Sequence, residues 1–181
     1  MAYVSNAVEY ALHCLLYLVD DKLPSAGIST RDLADLQGVS PEYLAKIFTK
    51  LHRAGLVKGT EGAGGGFALA RAPEKITVLD VIRAIDGTKP LFDCKNIRLG
   101  CAVFGSRTPR WASTGVCSIH AVMLEAEASM RTALASHTLA SISAHLAAKA
   151  PVTFSADVSA WLAQRPAARR NMCRRSASRD R

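Results

Sequence analysis

Cys94, Cys101 and Cys117, spaced Cys94-x6-Cys101-x15-Cys117 with His120 three residues on, are the residues here best suited to a soft metal or to redox chemistry. A thiolate is the ligand form, and the start of a helix near residue 116 lowers the pKa of a thiol placed there. The spacing matches no common zinc pattern, in which close C-x2-4-C pairs build a compact tetrahedral site. By spacing alone, the three thiols give a weak signal that metal binding and thiol oxidation share. Of the other two cysteines, Cys14 lies on an otherwise apolar helix and reads as core, and Cys173 sits in an arginine-rich tail without a partner pattern. An odd count of five, in a chain with no signal-peptide pattern at its start, argues against a disulfide framework. Glu9 and His13 are four residues apart, so they share a helix face one turn from each other. Spacing alone makes them an exposed ion pair. Cys117 with His120 has the residue types of a nucleophile pair, but no third orienting group or oxyanion site accompanies it, so neither an enzyme nor a small-molecule substrate is expected.

The elements that must position these groups are mostly helical. Residues 4–20 alternate as an amphipathic helix with Val8, Ala11, Leu12, Leu15 and Val19 on the apolar stripe. Residues 30–37 form a short helix capped by Ser29 or Thr30, Gly38 turns the chain, and Ser40-Pro41 reopens a helix that runs to Arg53. That second helix buries Leu44, Ile47, Phe48 and Leu51 and presents Tyr43, Lys46, Lys50 and Arg53 elsewhere. Strands at residues 56–58 and 67–69 flank the loop E-G-A-G-G-G, and Thr77 with Asp80 caps a helix that Gly87 stops. Residues 88–115 read as an irregular loop carrying Cys94 and Cys101. A long helix follows, with Val116, Ile119, Met123, Ala126, Met130 and Ala133 as a heptad-like seam suited to packing on a twin. A further short helix is expected at residues 137–146.

Helix, glycine turn, helix and glycine-rich hairpin, in that order, predict a winged helix-turn-helix: a mainly α fold with a small β-hairpin wing and a long dimerisation helix. The DNA-facing set would be Thr30, Arg31, Ser40, Pro41, Tyr43, Lys46, Lys50 and Arg53, with Lys58, Gly64 and Gly65 from the wing. Net charge is +8, yet residues 1–90 hold ten basic and ten acidic side chains, while residues 165–181 hold seven arginines against one aspartate. DNA affinity must therefore come from local placement of charge. No apolar run approaches the ~18–20 residues of a membrane span, so a cytoplasmic protein without membrane contact is expected.

Y-L-A-K-I-F-T-K-L-H-R-A-G-L-V-K at residues 43–58, G-A-G-G-G-F-A-L-A-R at 62–71 and I-T-V-L-D-V-I-R-A-I-D-G at 76–87 resemble Rrf2-type transcriptional regulators. That resemblance runs to about residue 146 and implies a homodimeric winged-helix protein, often sensing through an iron–sulfur cluster. A-V-E-Y-A-L-H-C at residues 7–14 resembles the branch whose [2Fe-2S] cluster takes a glutamate and a histidine from one subunit and two cysteines from the other. In that light Glu9, His13 and Cys117 become candidate ligands, with Cys101 next and Cys94 in reserve. The second cysteine gap is wider than the family's usual pattern, and Glu61 stands where the family often has an arginine before the wing glycine. The organisation expected is a DNA-binding domain over residues 1–87, a cluster loop over 88–115, a dimerisation helix region over 116–150, and a basic, disordered tail over 151–181. Its partner would be double-stranded DNA carrying a palindromic operator. Cluster-free thiol sensing on the same DNA-binding frame is the alternative, and a protein-interaction winged helix is the reading from another class.

Overall fold

The computed structural model describes residues 4–20, 27–60 and 65–177, with side chains through Arg165. Among these, α1 (Asn6–Tyr17) carries Val8, Ala11, Cys14 and Leu15 into the core. Helix α2 (Thr30–Gln37) starts at Ser29, whose Oγ accepts the Asp32 amide at 3.1 Å. It ends at Gly38 with φ +64°, a left-handed conformation that glycine enters without a Cβ clash. Helix α3 (Pro41–Arg53) opens on Ser40, whose Oγ accepts the Tyr43 amide at 3.1 Å, with proline in the first turn. Its buried row is Leu44, Ile47, Phe48 and Leu51. Removing the fully buried Phe48 ring would cost roughly 3–5 kcal/mol.

The wing is the antiparallel pair β1 (Val57–Gly59) and β2 (Phe67–Leu69), in register Val57↔Leu69, Lys58↔Ala68 and Gly59↔Phe67. Ile28 bridges to Phe67 and extends the pairing towards α2. Gly66 is required there, since a Cβ would lie 2.5 Å from the Ile28 carbonyl carbon. Helix α4 (Val78–Asp86) begins with a complete capping box between Thr77 and Asp80. Asp86 at its far end accepts both the Ser5 amide (2.8 Å) and the Ser5 hydroxyl (2.6 Å), which fastens the start of α1 to the end of α4.

Between α4 and the long helix lie short 3-10 turns at Ile97–Gly100 and Ala102–Phe104 and a one-turn α5 (Arg110–Ser113). Helix α6 (Ser118–Ser136) begins two residues later than expected, so Val116 precedes it and Cys117 is its N-cap residue. Helix α7 (Leu139–Lys149) opens on a Thr138–Ser141 capping box and buries Leu139. The Val78 amide donates to the His137 carbonyl, and the Leu139 amide to the Ile76 carbonyl, both at 2.9 Å, so α4 and α7 start side by side.

The expected disordered tail is corrected: the backbone forms α8 (Phe154–Ala177). Val158 and Leu162 enter the same core as α1 and α3. Arg165 lies over the Trp161 ring at 4.7 Å and pairs with Asp32 and Asp35 of α2. Burial of two aliphatic side chains and a shared cation hold this segment on the domain, which its basic composition did not suggest.

Candidate sensor and DNA-reading sites

On the reading side, Tyr43, Lys46 and Arg53 of α3 and Arg31 of α2 are exposed, and Thr30 is half-buried. The Tyr43 ring meets Tyr10 of α1 edge-on at 5.8 Å, which fixes it relative to the core. Ser40 spends its oxygen on the α3 cap, and Pro41 occupies the first turn. Lys58 and Gly65 are exposed on the wing, whereas Gly64 and Glu61 lie outside the described residues.

Lys50 departs from its expected place. Its ammonium donates to the Ile85 carbonyl at 2.7 Å, one of the last acceptors of α4 that no helical amide can reach. The bond ties α3 to α4. Glu42 was missed by the sequence reading, although an acid in a helix's first turn is a known signal. Its own amide and the Ser40 hydroxyl, with the Arg31 charge, hold its carboxyl below the usual range.

On the sensor side, Cys117 is the N-cap residue of α6, while the Cys94 thiol donates to Asn96 Oδ1 at 3.8 Å. The His120 and Ile119 amides, the Arg98 charge and Cys94 together hold the Cys117 thiol below its ordinary value. Arg98, also missed, donates to the Gly115 carbonyl at 2.6 Å, and its buried Nε has no partner among the described residues. Its separation of 19 positions from Cys117 left no sequence signal. The loop is pinned at its entrance, where the Leu91 amide donates to Glu127 of α6 at 2.9 Å, and Phe92 packs on His120.

The three loop cysteines are not gathered together. Cys94 is half-buried in the loop, while Cys101 stands exposed between the two 3-10 turns. Cys14 is core, and burial pushes its thiol up to about 12. Glu9 and His13 are both exposed on α1 and border one shallow hollow, with no ion pair between them among the described residues. No three His, Cys, Asp or Glu side chains converge on a metal position among the described residues.

The expected seam residues of α6 differ in exposure within the single chain. Met123 and Met130 are half-buried, and Met130 faces Leu79 and Ile82 of α4. Ile119 (64% exposed), Val122 (62%) and Ala126 form the outward row, with Val116 exposed just before the helix. Four positions of the expected seam thus divide between two faces.

The sequence profile of the Rrf2 family, described as an iron-dependent transcriptional regulator, matches residues 4–145. The chain belongs to the Rrf2 family. It is a DNA-binding transcriptional regulator with a winged helix-turn-helix fold, and its relatives are regulators, not enzymes. A Mycobacterium tuberculosis (strain ATCC 25618 / H37Rv) protein named as an HTH-type transcriptional regulator, Rv1287, is 33% identical over 139 residues, spanning 77% of this chain and 80% of the relative. The structure of T. potens IscR superposes with a TM-score of 0.60 at 28% identity, covering 83% of this chain and 93% of that one. CymR, titled the global cysteine regulator of B. subtilis, shares the fold at a TM-score of 0.59 and 23% identity, over 80% of this chain and 98% of its own. No described helix of this Rrf2 protein is long and apolar enough to cross a membrane.

Proposed function

We propose that this Rrf2 regulator acts as a homodimer on a palindromic operator, with DNA affinity set by a [2Fe-2S] cluster that joins the subunits. One subunit would supply Glu9 and His13, and the other Cys117 with Cys94 or Cys101. The observation that carries this reading is the division of donors. Cys117, its thiol lowered by the first amides of α6, has no set of three ligating groups around it among the described residues, while an exposed carboxylate and imidazole stand one turn apart on α1. Thiolate, imidazole and carboxylate donors suit iron, so the residues present fit the group. A bound cluster would supply a redox-dependent charge. Helix α1 packs on α2, α3 and α4, so strain at Glu9 and His13 reaches the reading helices directly. Half-site spacing is a geometric requirement, and a small rotation between subunits changes it.

A second reading draws on the lowered Cys117 thiol and on Cys94 in the loop before α6. A peroxide would oxidise the Cys117 thiolate to a sulfenic acid, reducing one peroxide oxygen to water or an alcohol, and attack by the Cys94 thiolate would release water and form a disulfide that reshapes the start of α6 without iron.

Protein purified without oxygen separates the two by visible absorbance and by iron and sulfide content. His13→Ala should lose or shift the spectrum while the protein stays folded, and Cys117→Ala should abolish it. Co-expressed His13→Ala and Cys117→Ala chains should recover about one cluster per heterodimer, where the parent holds two, because one site per heterodimer is intact. A colourless parent protein would favour the disulfide, and a heterodimer without recovery would remove the cross-subunit arrangement.

A further inference from the structure

Arg98 carries a donor and a charge that the loop around it does not use. It is half-buried in the turn Ile97–Gly100, four residues after Cys94 and three before Cys101. The turn is braced from within. The Leu99 amide donates to the Asn96 carbonyl at 2.9 Å, and the Thr108 hydroxyl to the Leu99 carbonyl at 3.1 Å. From this base Arg98 Nη2 donates to the carbonyl of Gly115 at 2.6 Å, two residues before Cys117. One side chain thus spans the two segments that hold the candidate thiolates.

Its Nε is buried and has no hydrogen-bond partner among the described residues. No carboxylate pairs with Arg98 among them either, since Asp93 pairs with Lys95 and Glu127 with Arg131. A buried N–H without an acceptor is costly to a fold, and a cation drawn from water without an anion more so. After the His120 and Ile119 amides, the Arg98 charge also holds the Cys117 thiol low, so its field reaches that sulfur. What Arg98 lacks is an anion with several acceptor atoms beside Cys117. A cluster held by thiolates has that character: its sulfurs accept N–H bonds, and those bonds and nearby charge set its potential.

We infer that Arg98 is a positioning residue for the proposed cluster, giving an N–H donor and a positive charge to its sulfur atoms and so raising its reduction potential. The inference rests on the cluster reading and adds to it the residue of this chain that tunes the group.

Redox titration of the full chain, purified without oxygen and followed by visible absorbance, tests it. Arg98→Met removes the charge and the donors at similar length. It should lower the potential enough to shift the ratio of reduced to oxidised cluster about tenfold, which is about 59 mV for one electron. Arg98→Lys keeps the charge and should return at least half of that shift. A side chain that only braced the loop would change how much cluster assembles, read as iron and sulfide per chain, and leave the potential of the assembled cluster alone. In a coloured parent, an unchanged potential in Arg98→Met or an equal shift in Arg98→Lys overturns the inference and leaves the cluster reading standing. Should Arg98→Met assemble no cluster, Arg98→Lys decides. A cluster near the parent potential supports the inference, and a shifted or colourless lysine variant overturns it. A colourless parent overturns the cluster reading and the inference together.

Discussion

At Cys117 a thiol meets the first free amides of α6, those of Ile119 and His120, before it meets any formal charge. A depressed thiol pKa means that the thiolate persists at lower pH than in an unfolded chain. Iodoacetamide labelling of reduced, iron-free protein should therefore show a Cys117 half-rate below the ordinary thiol value of about 8.5, returning there in urea. Mass mapping of the labelled peptide reads this out, and a midpoint unchanged by urea would mean that the α6 amides do not act on the thiol. Asp86 offers a second titration. Partial burial pushes its carboxyl up, but the Ser5 hydroxyl and amide, with Lys89 and Lys50, outweigh that and hold it below the usual range. A carboxyl lowered on folding contributes stability above its unfolded pKa and loses it as pH falls through the folded value. Asp86→Asn should thus flatten the acid limb below about pH 4 in denaturant titrations. An identical acid limb in the variant would show that the Ser5 clasp contributes nothing to it.

Helices α2, α3 and α4 were legible from the sequence because their signals are local: Ser29, Gly38, Ser40-Pro41 and the Thr77–Asp80 box all act within four residues of themselves. The outward row of α6 was not, since a repeat of threes and fours fits more than one face of a helix and α4 covers one of them. Met130 follows the seam pattern yet faces Leu79 and Ile82. If the outward row of α6 packs on a twin, Ile119→Glu with Val122→Glu should yield folded monomers in sedimentation analysis; a dimer that persists would place the interface elsewhere. The Lys50 bond to Ile85 was hidden for a similar reason. Amphipathic pattern told which side it leaves the core from, but not that an α4 carbonyl lies within reach. Among the sensor residues, the Glu9–His13 spacing could be read directly. The positions of Cys94 and Cys101 depend on a loop without periodicity, so the sequence could not place either relative to Cys117.

For the whole molecule, α8 changes what the domain is. Its first turns close the core over α1, and Arg165 joins two aspartates of α2 while stacking on Trp161. Arg165→Ala should cost about 1 kcal/mol, as partly exposed ion pairs and cation–π contacts do, and lower the melting temperature by about 2–4 °C. A melting curve unchanged at low salt would make the contact incidental. Cys14 lies within that core, fully buried, and burial pushes its thiol up to about 12. A thiol so placed is silent to alkylating reagents until the structure opens around it. Labelled in pulses after the outer thiols are blocked, Cys14 becomes a clock for rare openings, and its rate relative to a free thiol reports their equilibrium under native conditions, with no denaturant present.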